Sequence, residues 1–267
     1  MPPHYHQPHW DAFVKAAFQP QGAVGDAPAA WANELQNVPN VATLPTAPMY
    51  RQDVRNTCRD ANTDVLFAYI CAMAWGGQND RYAQEGLPGQ RAQAWENRDA
   101  IRPALENLRA NQLNHDEAYN LFTERNAVPG LGPSYFTKLI YFFSPDALPG
   151  QVGFYIMDQW TAKSVNLLTQ TKVVRIAKLK HASPDRSNKS GNFEAYCREV
   201  EMISVELGLI GQHAGDQVEQ RLMSQGGHNP WQWRSHVKEH WLTSAPIKRY
   251  SRKAMPERYP KIPANRF

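Results

Sequence analysis

Ala127-Val128-Pro129-Gly130-Leu131-Gly132-Pro133-Ser134-Tyr135-Phe136-Thr137-Lys138-Leu139-Ile140-Tyr141-Phe142-Phe143, with Ile156-Met157-Asp158-Gln159-Trp160 after it, decides how this chain is read. Two glycines separated by one leucine make a turn too tight for most side chains, and a proline-started apolar run follows at once. That is the pattern of a hairpin between two helices. The first N–H groups of the helix beginning near Pro133 have no intrahelical acceptor, and Gly130 and Gly132 let an anion approach the backbone closely. A phosphate fits there. Leu131 is expected to point inward and hold the two helices together. The same Pro-Gly-x-Gly is equally the mark of an ordinary helical corner.

Downstream, Ser144 to Gly153 is a linker of turn residues, and Asp158 then opens a segment, Gln159 to Leu168, whose apolar residues recur at helical spacing. Asp is a good N-cap, so capping alone would account for it. Upstream, residues 93–110 and 114–126 read as two amphipathic helices, the second with Asn114 as cap and Glu117 at its third position. It leads into the hairpin. From Asp64, the run Val65 to Trp75 is apolar almost all round, as expected of a helix buried in a core, and Gly76-Gly77 is a strong stop. Further helices are expected at about 192–208, 213–224 and 230–241, with Phe193, Tyr196, Val200, Ile203 and Leu207 in the core.

At 267 residues the chain can bury a full core, and its net charge is only +4. The charge is uneven. Between 245 and 267 seven basic residues stand against Glu257 alone, so a basic tail follows a nearly neutral body. That suits a polyanion, although charged tails are often merely solvated. The segment 172–190 is also basic. Cys58, Cys71 and Cys197 have no C-x-x-C spacing, which indicates neither a disulfide framework nor a zinc or iron–sulfur site. His4, His6 and His9 lack a carboxylate or Cys partner, so no metal is expected and a polar arm is the better reading. No apolar run reaches transmembrane length and no signal-peptide pattern is present, which places the chain in the cytoplasm, away from membranes. The expected organisation is an extended arm over 1–48, a helical body over 49–244 with the hairpin at 127–143, and the basic tail over 245–267.

Val128-Pro129-Gly130-Leu131-Gly132-Pro133 followed by a helix, with an Asp opening the next one, resembles the helix-hairpin-helix DNA glycosylase superfamily. The nearest branch is the 8-oxoguanine glycosylase group, especially its divergent bacterial members, and the likeness covers residues 64–168. It implies an all-α, two-lobed helix-hairpin-helix fold, a monomer associated with the nucleoid, and double-stranded DNA containing a modified base as the partner. No cofactor is implied. The hairpin, through Gly130, Leu131, Gly132 and Ser134, would grip DNA phosphate, and Asp158 would work at the sugar. Phe67 to Asn79 resembles the helix and loop that carry the wedge pushed into the stack when a base is extruded, so Gln78 or Asn79 is the wedge candidate. Amides suit that task because they can hydrogen-bond to the orphaned partner base. A solvated turn is the plain alternative. Trp75 and Trp160 are candidates for the wall of the base pocket, against the plainer role of packing aromatics.

Members with lyase activity place a Lys just beyond the hairpin, where it attacks the sugar. Here Ser134 fills that slot, and the nearest amine, Lys138, lies four residues on, one turn along the same face. Lys138 precedes Asp158 by 20 residues and Ser134 by 24, and the family interval is closer to the first. Two mechanisms stay open: Lys138 as nucleophile with abasic-site lyase activity, or water activated by Asp158. For Lys138 a phosphate contact or a surface position is the alternative. The implied function is a glycosylase that flips a modified base out of DNA and cleaves its N-glycosidic bond, for repair or antiviral defence. The base would be 8-oxoguanine-like or a bulky phage-type modification. The alternative is a non-catalytic helix-hairpin-helix DNA-binding protein.

Overall fold

The apolar run expected to be a core helix is one. Val65–Trp75 forms a helix in which every residue but Phe67 is buried, as a segment without a polar face must be. Asp64 caps it: Oδ1 accepts from the backbone N–H of Leu66 at 2.9 Å and of Phe67 at 3.1 Å. Gly77, at φ +66, ends it in the left-handed conformation that favours glycine.

The computed structural model describes residues 4–33, 35–78, 89–148, 150–177, 183–211, 213–225, 230–241 and 248–249. Among these the chain is all-α. The helices are α1 (Gln7–Lys15), α2 (Pro28–Ala32), α3 (Arg51–Arg59), α4 (Val65–Trp75), α5 (Gln90–Glu96), α6 (Arg98–Ala110), α7 (His115–Asn120), α8 (Pro133–Phe143), α9 (Gln159–Thr169), α10 (Ser190–Glu206), α11 (Ala214–Met223) and α12 (Gln232–His240). One two-residue parallel pair, β1 (Thr171–Lys172) with β2 (Lys248–Arg249), accompanies them. The chain divides into two compact units, one of residues 21–145 and one of residues 1–20 with 146–267.

In the unit of residues 21–145, α4 packs against α2, α3, α6 and α8. Phe136 to Phe143 of α8 are buried without interruption, and Phe136 meets Tyr119 edge-on at 4.9 Å and stacks on Phe122 at 5.6 Å. Burying a side chain of this size stabilises by roughly 1.5–3 kcal/mol, so the helix after the hairpin is fixed by its own apolar content. The two helices expected at 93–110 and 114–126 are each divided. Asn97 separates α5 from α6, its side-chain amide donating back to the Gln93 carbonyl at 2.8 Å. After α7, Asn126 donates to the Asn120 carbonyl at 3.0 Å and Glu124 sits at φ +54, which leaves only a 3₁₀ turn over Glu124–Asn126. The Asn114–Glu117 capping box is present as read.

The other unit is arranged around α9, whose residues Thr161 to Leu168 are all buried and which packs against α1, α10, α11 and α12. Phe193, Tyr196, Val200 and Ile203 of α10 are fully buried, as the stripe predicts, and Leu207 is half-buried.

The N-terminal 48 residues are more anchored than an extended arm. In α1, Trp10 and Phe13 are buried, and Arg221 of α11 closes the end of that helix by donating to the carbonyls of Phe13, Val14 and Ala16. Residues 21–48 pack with the other unit, where Trp31 is buried and its indole N–H donates to the Gln78 carbonyl at 2.7 Å. Cys58, Cys71 and Cys197 are buried free thiols; burial raises all three, Cys71 to about 12, which keeps them protonated and unreactive at neutral pH. Among the described residues no helix is long and apolar enough to cross a membrane.

Candidate active site

The hairpin is held by the side chain first read as a wedge. Gln78 is 0% exposed, and its amide donates to the Gly130 carbonyl at 3.1 Å, tying the loop after α4 to the turn. A group so placed cannot reach into a base stack without breaking that bond, so the structure gives Gln78 a positioning role. Asn79, the other wedge candidate, lies outside the described residues. Replacing Gln78 with Leu strands the Gly130 carbonyl and is expected to cost about 1–3 kcal/mol in urea unfolding, with the orphaned Gln78 Oε1 removed at the same time as a partial offset.

The two glycines do different work. Gly130 sits at φ +75, and a Cβ there would fall 2.1 Å from the Gln90 carbonyl oxygen and 2.8 Å from the Ala94 nitrogen, so α5 occupies the space a side chain would need. Gly132 caps α8 in an extended conformation, φ −88 and ψ 175, and nothing lies within 4 Å of where its Cβ would be. The open backbone that an anion could approach is therefore at Gly132. Leu131 is buried, as expected. Ser134 is half-buried; its carbonyl accepts from the Lys138 Nζ at 3.0 Å, and its Oγ has no hydrogen-bond partner among the described residues.

Lys138 is 4% exposed, which removes the surface-lysine reading. Its Nζ lies 5.1 Å from the centre of the Tyr135 ring, and its stem runs past Gly76, where a Cβ would meet Lys138 Cδ at 2.8 Å. The glycine that stops α4 thus also makes room for the lysine. Trp75, one residue earlier, is buried with its ring edge-on to Phe142 at 5.0 Å and the Arg51 guanidinium 5.6 Å away; its indole N–H has no partner among the described residues.

In the other unit, Asp158 is 6% exposed at the start of α9. One oxygen does the capping: Oδ1 accepts from the N–H of Trp160 at 2.7 Å and of Thr161 at 3.0 Å, and the Thr161 hydroxyl accepts from the Asp158 N–H at 3.0 Å. Among the described residues Oδ2 makes no hydrogen bond. Capping accounts for one oxygen of this carboxylate. Trp160 is half-buried and surrounded by cations: the Arg234 guanidinium at 4.0 Å, Lys163 Nζ at 4.7 Å and Lys238 Nζ at 6.0 Å from its ring centre. A tryptophan so flanked anchors positive charge beside Asp158. Burial, with the Arg234 guanidinium beside it, pushes the Lys163 amine below its ordinary value, and the Asp158 carboxylate acts in the opposite sense. Burial lowers Arg234 to about 10, again opposed by Asp158; its guanidinium also donates to the carbonyls of Met223 and Ser224.

Sequence reasoning missed Lys163 and Arg234. In the sequence the first reads as part of an ordinary polar stripe with Gln159 and Asn166, at helical spacing. Arg234 left no signal, since it arrives from more than seventy residues away. The basic segment at 178–182 and all of the tail but 248–249 lie outside the described residues.

A glycine-bridged hairpin feeding a proline-started helix, together with a buried aspartate opening another, defines a helix-hairpin-helix protein of the DNA glycosylase class. The family model described as "Putative 8-oxoguanine DNA glycosylase OGG-like protein" matches residues 19–223, and the chain belongs to that family. Searches of the curated proteins and of the solved structures find no match. The matched range contains the hairpin, Lys138 and Asp158, and ends before α12.

Proposed function

We propose that this protein flips a modified base, 8-oxoguanine-like or a bulky phage-type modification, out of double-stranded DNA and cleaves its N-glycosidic bond. The observation that carries the reading is Asp158: a buried carboxylate with one oxygen spent on its helix and the other unspent. Breaking a base–sugar bond builds positive charge on the deoxyribose, and a carboxylate held out of bulk water stabilises that charge at least reorganisation cost. The bond's electron pair leaves with the base, which takes up a proton. The anomeric carbon is then captured by a nucleophile whose proton passes to Asp158.

Gly132 and the start of α8 supply the phosphate contact, with Gly130 and Leu131 giving the turn its shape and Gln78 pinning it. Ser134, at the first turn of α8, contributes backbone to that contact. The wedge falls to Asn79. Trp75, with its unpartnered indole N–H, serves as the base-pocket residue, and Trp160 with its cations as a DNA contact. Affinity then comes largely from phosphate and discrimination from the flipped base. Lys138 is the amine of the lyase route, its buried stem running past Gly76 and its Nζ held at the Ser134 carbonyl.

Borohydride trapping on lesion-bearing duplex tests this division of labour. The expected result is a covalent protein–DNA adduct that disappears in Lys138→Ala. Base release with no adduct in the wild-type protein would instead assign the attack to water. A protein that binds duplex but releases no base is the non-catalytic module.

A further inference from the structure

Of the three N-terminal histidines, which the sequence leaves without partners, His9 finds them on α12. His9 is 7% exposed, and its Nδ1 lies 2.9 Å from Nε2 of His236. The ring of His9 is also 4.4 Å from that of His6 and 5.3 Å from that of His240, and His236 and His240 lie 4.2 Å apart, one turn apart on α12. Trp233 stacks on His236 at 5.3 Å and meets Phe13 of α1 edge-on at 4.9 Å, which continues the same contact between the two helices. All four histidines lie outside residues 19–223, the range that the family model matches.

Among the described residues no three His, Cys, Asp or Glu side chains are arranged to hold a metal ion. The rings pack on one another, and the hydrogen-bonded pair at the centre, His9 and His236, can titrate. In the neutral state one nitrogen of the His9–His236 pair donates and the other accepts. A first proton can be shared across that bond, but a second sets two N–H groups against each other at 2.9 Å with two more imidazoles beside them. Glu239 acts on His236 and lies 4.0 Å from His240 on the exposed side of α12. Glu199 of α10 faces Tyr5, and Arg221 of α11 adds a further positive charge at the end of α1. From α9 the contact is backbone, the His6 N–H donating to the Leu168 carbonyl at 2.7 Å.

We propose that His6, His9, His236 and His240 form an acid-released latch that pins α1 to α12 and to the C-terminal end of α9. Because Asp158 opens α9, release of the latch loosens the helix that carries the proposed catalytic carboxylate; that consequence rests on the function proposed above, whereas the latch itself does not. The sign follows from His9. Burial, then His6, His236 and His240, lower it from 6.5 to about 4. A folded value below the unfolded one contributes stability that is complete above pH 6.5, is lost as pH falls from 6.5 towards 4, and is gone below 4.

Hydrogen exchange of the full chain without DNA, corrected for the intrinsic pH dependence of exchange, measures the latch directly. Between pH 7 and pH 5, His9 alone predicts a fall of about twentyfold in the protection of residues 7–15, with α10 changing far less. His9→Gln with His236→Gln removes the titrating pair while keeping hydrogen-bonding side chains, and is expected to hold the change below about threefold. Protection of α1 in the wild-type protein that is unchanged at pH 5, or a double variant that loses as much as the wild type, overturns the latch. Neither result bears on base release, so the latch and the glycosylase reading fail separately.

Discussion

Asp158→Asn is expected to slow base release by about 10²–10⁴-fold, the range over which a positioned acid–base group contributes, while costing less stability than Asp158→Ala. The two readouts separate because asparagine caps a helix about as well as aspartate. Its Oδ1 can keep both bonds that Asp158 makes to Trp160 and Thr161, and the Thr161 hydroxyl can still accept from the backbone N–H. What the substitution removes is the charge, and with it the ability of the second oxygen to take a proton. Asp158→Ala removes both functions, so it should match the Asn variant in rate and lose a further 0.5–2 kcal/mol or so of stability. If both variants lost stability but kept their rate, Asp158 would be a cap and nothing more.

Gly130→Ala should be the most destabilising single methyl that can be added to the hairpin. An alanine at φ +75 carries left-handed strain of about 1–2 kcal/mol. Its Cβ would also stand 2.1 Å from the Gln90 carbonyl oxygen, and that neighbour is backbone of α5, which cannot rotate away. Overpacking of this kind costs about 1–3 kcal/mol more, giving a total of about 2–5 kcal/mol in urea unfolding. The companion variant makes the argument sharp. Gly132→Ala meets nothing within 4 Å and has an ordinary φ, so its stability should change little while its affinity for duplex DNA falls, because the added methyl covers the open backbone. Equal destabilisation by the two alanines would contradict the separate roles assigned to these glycines.

Much of the fold was legible because its signals are local. The all-round apolar run of α4 and the proline-started run of α8 need no partner to be recognised, and the Asn114–Glu117 box is contained in four residues. The breaks at Asn97 and near Glu124 were missed because each is made by a side chain bonding back to a carbonyl, which competes with helix continuation without changing the apolar pattern. The site was legible only in part, for a related reason. Asp158 announces itself by opening a helix, and Gly130 by its turn. That Gln78 binds the hairpin across 52 residues, or that His236 meets His9 across 227, is a fact of tertiary packing on which no local pattern bears. The anchoring of the N-terminal 48 residues was hidden in the same way, since the partners of Trp31 and Phe13 come from elsewhere in the chain.

Mass spectrometry of the bases set free from duplexes carrying 8-oxoguanine and a panel of bulky base modifications tests the central claim most directly. The account predicts a modified base released by the wild-type protein and lost with Asp158→Asn. No base released from any duplex, or release undiminished in the Asn variant, would contradict it.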